Sequence, residues 1–108
     1  MLYKFKSKAT GDLIMLEPQG RQILGLIGKE PTPKGILLVQ DMPAAIQALQ
    51  NAVQAAEARH ANAVQEAVQR GEDPPGQEDV VTLRQRATPF LNMMRRCLSE
   101  SHDIVWGV

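Results

Sequence analysis

One long helical repeat constrains the fold of this 108-residue chain more than any other feature. From residue 42 to residue 67 the seam positions recur at alternating intervals of four and three, the heptad spacing of a helix that packs along another helix. The seam consists of Met42, Ile46, Leu49, Val53, Ala56, His60, Ala63 and Ala67. Asp41 is a suitable N-cap before the seam, and Gly71 follows its end near Arg70. We therefore predict one helix from residue 42 to about residue 70.

A second helix is predicted from about residue 78 to residue 99, because the same spacing returns there. Its seam is Val80, Leu83, Ala87, Phe90, Met94 and Cys97. The polar connection at 71–77 is rich in proline and glycine and should be mobile. Because the connection is short, the two helices should form an antiparallel hairpin. Pro89 should kink or split the second helix, and Thr88-Pro89 favours two abutting segments.

The two ends of the chain have the composition of strands. Aromatic and basic side chains alternate within residues 2–6, which places Tyr3 and Phe5 on one face of the strand and two lysines on the other. Residues 8–11 should supply a hairpin turn, with Gly11 free to take positive φ. Residues 12–16 are apolar on both faces, which predicts deeper burial than in the first strand. Residues 103–108 should form a strand that pairs with this hairpin.

A short helix should follow the hairpin. Pro18 suits its first turn, and Gly28 is a plausible residue just beyond its end. Residues 29–35 read as a loop. Residues 36–39 are either a short strand or an apolar segment that leads into the next helix, and periodicity does not distinguish the two.

These elements predict an α+β fold in a single domain, residues 1–108. The hairpin and the C-terminal strand should form a small antiparallel or mixed sheet, packed on the short helix and the long helical hairpin. The single cysteine, Cys97, excludes an internal disulfide framework. No apolar run approaches the roughly 20 residues that span a bilayer. Charges interrupt the N-terminal segment where a signal peptide would be apolar, so we expect a cytoplasmic protein with no membrane partner.

The distribution of charge argues against a dedicated nucleic-acid-binding protein. The net charge is zero, with six basic and three acidic residues in 1–34 but two basic and seven acidic residues in 35–79. Such a protein would carry a basic stripe. Lys4, Lys6 and Lys8 form a basic row, but the neighbouring aromatic side chains point to the opposite face, where they could not stack with bases that the lysines hold. The better interpretation of this row is that it protects an exposed sheet face or edge from aggregation.

His60 and Cys97 are the residues that would most readily suggest a ligand or a nucleophile, and both occupy helical seams. His60 should lie at the tapering, partly exposed end of the hairpin. Cys97 should be a buried small hydrophobe, several turns away from His60. Metal-ligand spacings, a glycine-rich phosphate loop and the common hydrolase motifs are absent from the sequence. We predict no catalytic residue, no metal site and no cofactor.

Surface arginines along the second helix are the first of the remaining candidates for binding. Arg84 and Arg95 lie about 20° apart on a helical wheel, where they could bind a phosphate or an acidic partner. A solvated face that pairs with Glu57 or Glu66 across the hairpin is the alternative. The junction that follows the helix adds His102, Asp103 and Trp106. Arg84, Arg95, His102, Asp103 and Trp106 are therefore the candidate ligand-binding or partner-binding residues.

Several segments resemble those of an uncharacterised family of short bacterial proteins, a domain of unknown function, number 1840. They are Tyr-Lys-Phe-Lys-Ser-Lys-Ala-Thr-Gly-Asp-Leu-Ile-Met-Leu (3–16), Ile-Gly-Lys-Glu-Pro (27–31), Met-Pro-Ala-Ala-Ile (42–46), Leu-Arg-Gln-Arg-Ala (83–87) and Val-Trp-Gly-Val (105–108). The resemblance covers nearly the whole chain. It implies a compact single domain and supplies no site residues.

Two functional hypotheses follow. The first is a small protein-interaction or regulatory module without catalytic activity, which binds a second copy of itself or another protein. It is motivated by the outer end of the long alanine-rich helix, which exceeds what a three-stranded sheet can cover. The second is a small-ligand-binding protein or enzyme that uses the surface near Arg84, Arg95, His102 and Asp103.

Overall fold

Within the described residues, four antiparallel strands and three α-helices make up the fold. The structure, a computed structural model, describes residues 2–108 apart from the side chain of residue 79. The elements are β1 (Leu2–Ser7), β2 (Thr10–Leu16), α1 (Glu17–Leu26), β3 (Gly35–Leu37), a 3₁₀ turn (Val39–Asp41), α2 (Met42–Gln69), α3 (Glu78–Glu100) and β4 (Ile104–Trp106). The strands form one sheet in the order β2-β1-β4-β3. The α+β prediction is confirmed, and β3 adds a fourth strand.

The N-terminal hairpin is present, but two of its details differ from the prediction. Leu2 pairs with Leu16 and Phe5 with Leu13, and the turn lies at residues 8–9. The expectation of a positive φ at Gly11 is wrong, because Gly11 lies inside β2. The expectation that 12–16 is deeply buried is also wrong. The helices cover only one face of the sheet, so Met15 is buried while alternate side chains of β2 are exposed.

The C-terminal strand lies in the middle of the sheet. Trp106 pairs with Phe5 of β1 on one side and with Gly35 of β3 on the other, which confirms the predicted pairing with the hairpin. The ambiguous segment 36–39 combines the two alternatives: its first residues belong to β3, and the 3₁₀ turn that leads into α2 starts at Val39.

The short helix α1 begins and ends as the sequence indicates. Pro18 lies in its first turn. At its end Gly28 has φ 83°, and the amide of Lys29 donates to the carbonyl of Leu24 at 2.9 Å. A residue with positive φ allows the chain to reverse and to satisfy the last carbonyls of the helix.

The two long helices form the predicted hairpin, and α3 is continuous through Pro89. The expected split of this helix is wrong. Instead of capping a new segment, the Thr88 hydroxyl donates to the carbonyl of Arg84 at 2.8 Å, one turn back in the same helix. Asp41 does occupy the N-cap position of α2, but its side chain makes no capping hydrogen bond, because the 3₁₀ turn runs directly into the helix.

The hydrophobic core lies between the inner face of the sheet and the helices. The ring of Phe5 meets Phe90 edge-on at 4.8 Å and Trp106 at 5.9 Å, measured between ring centroids. Cys97 is fully buried in this core, as predicted. The core extends along the hairpin as far as Val53 and Ala87.

Candidate functional site

One face of the sheet is not covered by any helix of the described chain. Alternation along each strand sends every second side chain to this side, and the cross-strand register aligns them. Leu2 lies opposite Leu16, Lys4 opposite Ile14, and Val105 lies between Lys6 and Ile36. We call this surface the outer face; it consists of Leu2, Lys4, Lys6, Ile14, Leu16, Ile36 and Val105.

The outer face exposes large apolar side chains. Leu2 is 61% exposed, Leu16 58%, Ile14 53% and Ile36 41%. Single exposed apolar residues are common on protein surfaces, whereas a contiguous group often marks an interaction site. Here Leu2 and Leu16 are cross-strand partners, so their exposed surfaces adjoin.

Lysines occupy the middle of the same face. Lys4 and Lys6 project from β1, and Lys8 follows in the turn. Among the described side chains, none of these three lysines forms an ion pair. Asp12 is the nearby acidic residue of β2, and it too is exposed. The outer face therefore combines apolar area with a net positive charge.

His102 and Asp103 lie at one end of the outer face. They line a shallow cavity of about 290 Å³ together with Lys8, Ile36, Ser101 and Val105. Ser101 has φ 58°, and the amide of His102 donates to the carbonyl of Cys97 at 2.9 Å, which turns the chain from α3 into β4. We call this cavity the end cavity.

Asp103 also has a structural role. Its Oδ1 accepts a hydrogen bond from the backbone amide of Val39 at 2.9 Å. Val39 is the first residue of the 3₁₀ turn, whose amides lack partners within the turn itself. Asp103 therefore links the start of this turn to the junction between α3 and β4.

Arg84 and Arg95 line a different groove, between α2 and α3. Its volume is about 240 Å³, and its other lining residues are Gln50, Val53, Gln54, Ala87, Thr88 and Leu91. The Arg84 guanidinium bonds to Glu57 across the hairpin, with Nε 2.7 Å from Oε1. The predicted pairing with Glu57 is thus confirmed. Two arginines and two glutamines around one groove are suited to an anion.

Trp106 lies in the core and on neither surface. It is 1% exposed, and its indole N–H donates to the carbonyl of Thr32 at 3.0 Å. The five candidates from the sequence are therefore divided. Arg84 and Arg95 share the interhelical groove, and His102 and Asp103 share the end cavity. Trp106 supports the sheet beneath the outer face, out of reach of a surface ligand.

His60 lies where the sequence places it, half-buried in the outer part of the hairpin. Its Nε2 is buried and has no hydrogen-bond partner among the described residues. Within that same part of the chain, no three His, Cys, Asp or Glu side chains are grouped closely enough to hold a metal ion.

The comparison with protein families agrees with the resemblance noted in the sequence. The family model described as Domain of unknown function (DUF1840) matches residues 1–106. The chain belongs to this family. Searches of curated proteins and of solved structures found no match to it. The description of DUF1840 states no activity, so function has to be argued from the geometry of this member.

None of the helices described in this DUF1840 chain combines the length and the apolar character needed to cross a membrane.

Sequence reasoning missed most of the outer face. The alternation of Leu2, Lys4 and Lys6 contained a usable signal, because it leaves Leu2 on the lysine side of β1. In β2 no such alternation is visible, because residues 13–16 are all apolar. Ile14 and Leu16 therefore looked as buried as Met15. Nothing in the sequence placed Ile36 beside Val105, because that contact depends on long-range pairing of β3 with β4.

Proposed function

We propose that this domain is a protein-interaction module without catalytic activity, and that it binds an acidic partner protein through the outer face. The observation that carries the proposal is the exposure of Leu2, Ile14, Leu16 and Ile36 on a sheet face that the helices leave open. We also propose that it works in the cytoplasm of a bacterium.

The apolar part of the outer face supplies the affinity. Full burial of one Leu or Ile side chain is worth about 1.5–3 kcal/mol relative to full exposure. These four side chains are only about half exposed, and association itself costs several kcal/mol. Their combined burial therefore supports a moderate rather than a very tight complex.

The lysines determine which partner is favoured. Lys4, Lys6 and Lys8 create a positive potential over the apolar area, which attracts an acidic surface and speeds the encounter with it. Two copies of this chain that met through their outer faces would oppose two lysine rows. A different, acidic protein therefore fits this surface better than a second copy.

The partner can be trapped with a photo-crosslinking amino acid. Benzoylphenylalanine placed at position 36 would lie on the outer face, and at position 58 it would lie on an exposed part of α2 as a matched control. We expect position 36 to capture one acidic protein that position 58 does not. That protein, purified and titrated with the wild-type chain, should bind more weakly as salt concentration rises.

Two results would contradict the proposal. One is equal capture at positions 36 and 58. The other is a captured protein that, once purified, shows no saturable binding to the wild-type chain.

A second candidate function is the binding of a small anion in the groove between α2 and α3. Arg95 favours it, because this arginine lines the groove and forms no ion pair with any described side chain. Titration with inorganic phosphate, followed by NMR, should shift the amide signals of Thr88 and Leu91. The shifts should disappear in Arg95→Gln. Unchanged spectra up to millimolar phosphate would contradict this candidate.

A further inference from the structure

Strand β2 forms a free edge of the sheet. Within residues 2–108 it pairs with β1 alone, at Thr10 and again from Leu13 to Leu16, and the register shifts between these two parts. In an antiparallel pair, every second residue of an edge strand directs its N–H and C=O groups away from its neighbour. Such groups can pair with an added strand, and proteins commonly cover or disrupt an edge of this kind.

Helix α3 runs beside this edge and leaves a groove between itself and β2. Two shallow, open depressions of about 300 Å³ each lie there. The first is lined by Thr10, Gly11, Asp12, Leu13, Pro89, Asn92, Met93 and Arg96. The second is lined by Leu13, Ile14, Met15, Leu16, Gln19, Gln85, Arg86 and Pro89. Because Leu13 and Pro89 line both, the two depressions adjoin, and together we call them the edge groove.

The walls of the edge groove suit an extended chain. Leu13 and Met15 turn toward the helices and supply apolar contacts inside the groove, while Ile14 and Leu16 project from the outer face. A strand beside β2 would show the same alternation, with one set of side chains in the groove and the other beside Ile14 and Leu16.

Pro89 adds a polar group to the helical wall. A proline has no N–H, so the carbonyl of Gln85 lacks the donor that the helix provides at other positions. Gln85 and Pro89 both line the groove. The proline therefore removes the usual helical donor to one backbone carbonyl of α3, beside the edge groove.

We propose that the edge groove binds an extended segment of a partner protein, which adds to the sheet as a strand next to β2. Strand addition draws its affinity from main-chain hydrogen bonds and its specificity from pockets for alternate side chains. This inference deepens the proposed function and rests on it in one respect, that the ligand is a protein.

A second copy is a less suitable occupant than a different protein. Two copies joined antiparallel, β2 to β2, about a twofold axis would bring Arg86 and Arg96 of both copies to the same side of the joint sheet. Like charges that face each other oppose such pairing.

The charges of the groove favour an acidic segment. Arg86 and Arg96 line it, and among its described lining residues Asp12 is the one carboxylate. Arg96 bonds to Glu100 at 2.9 Å. Arg86 forms no ion pair with any described side chain. Its guanidinium lies 3.3 Å from the side-chain amide oxygen of Gln19, in the amide orientation in which the Gln19 nitrogen donates to the carbonyl of Leu16. We therefore expect a segment that alternates apolar with acidic side chains.

A phage-displayed library of random dodecapeptides, selected on the immobilised full-length chain, provides the probe. We expect enrichment of sequences in which apolar and acidic residues alternate. The enriched peptides are then synthesised and titrated against the wild type, Asn92→Trp and Ala58→Trp. Asn92 is an exposed residue of the groove wall, and Ala58 is an exposed residue of α2 away from every groove described above. Asn92→Trp should weaken binding at least about tenfold, and Ala58→Trp should leave it unchanged.

Amide hydrogen exchange, measured by NMR on the wild-type chain with bound peptide, tests the mode of binding. Strand addition should slow exchange at every second amide of residues 13–16, the part of β2 that is in regular register with β1. A peptide that lay on the outer face would not produce this alternation.

The outcomes separate the two proposals. Absence of enrichment, equal binding to Asn92→Trp, or a lack of alternating protection each overturns strand addition. Peptides that bind Asn92→Trp normally but lose affinity for Lys4→Glu/Lys6→Glu would overturn the edge groove and support the outer face. Failure of both sets of variants to weaken a selected peptide would contradict both proposals.

Discussion

Gly20 of α1 lies directly against the ring of Tyr3 in β1. A Cβ atom at position 20 would come within 2.7 Å of Tyr3 Cγ and 2.9 Å of its Cβ, closer than real side-chain contacts allow. Gly25, in the same helix, has no atom within 4 Å of the position where a Cβ would stand. The absence of a side chain at Gly20 thus permits α1 to pack onto the sheet, whereas at Gly25 it serves no packing purpose.

The two glycines should respond oppositely to alanine. Gly20→Ala forces Tyr3 or the helix to move, and we expect a loss of about 1–3 kcal/mol in the free energy of unfolding. Gly25→Ala should gain up to about 1 kcal/mol, because alanine favours the helix. Urea unfolding followed by circular dichroism measures both. Similar changes in the two variants would contradict the packing of α1 described above.

Phe90 anchors the centre of the core. It is completely buried, and it meets the ring of Phe5 at 86°. We expect Phe90→Ala to cost about 3–5 kcal/mol, since it leaves a cavity between α3 and the sheet. Val68→Ala is the control, because Val68 is exposed on the outer part of α2 and its truncation should change stability by less than about 0.5 kcal/mol. A loss of less than about 1 kcal/mol in Phe90→Ala would contradict this core.

Asp103 should stabilise the 3₁₀ turn through its bond to the amide of Val39. By analogy with helix caps, Asp103→Ala should cost about 0.5–2 kcal/mol. Asp103→Asn retains an oxygen acceptor and should therefore lose less stability than Asp103→Ala. Hydrogen exchange at the Val39 amide should become faster in Asp103→Ala and change little in Asp103→Asn. An unchanged exchange rate in both variants would show that this hydrogen bond contributes nothing.

The ion pair between Arg84 and Glu57 should contribute little to stability. The Arg84 side chain is 61% exposed and that of Glu57 35%, and surface pairs of this kind are typically worth less than about 1 kcal/mol. A double-mutant cycle with Arg84→Gln and Glu57→Gln, measured at low and high salt, gives the coupling energy. We expect a small value that falls further as salt rises. A coupling above about 2 kcal/mol would show that the pair is far better shielded from solvent than its exposure indicates.

Much of the fold could be predicted because its signals are local. The heptad seams of α2 and α3 repeat over many turns, so Met42 and Cys97 reveal their burial through spacing alone. The turn at Gly28 is likewise encoded within a few residues. Pro89 misled the prediction because a proline removes only one donor, and the burial of Phe90 and Met94 next to it keeps the helix continuous.

The candidate site could be predicted only in part, because surfaces depend on which face the helices cover. His102 and Asp103 were identified correctly as a surface junction, but the sequence did not reveal that Asp103 bonds to Val39. Ile14 looked like a core residue because both sides of β2 are apolar. Only the position of the helices shows that its side chain is exposed.

Binding of an acidic protein to the outer face can be tested through the dissociation constant of the protein captured at position 36, measured with two variants that change charge equally. Lys4→Glu/Lys6→Glu reverses two charges on the outer face. Arg59→Glu/Arg70→Glu reverses two exposed charges elsewhere, one on α2 and one directly after its end. We expect the first variant, with its fold verified, to bind at least about tenfold more weakly and the second to bind like the wild type. Equal affinity of the two variants for the captured protein would contradict binding through the outer face.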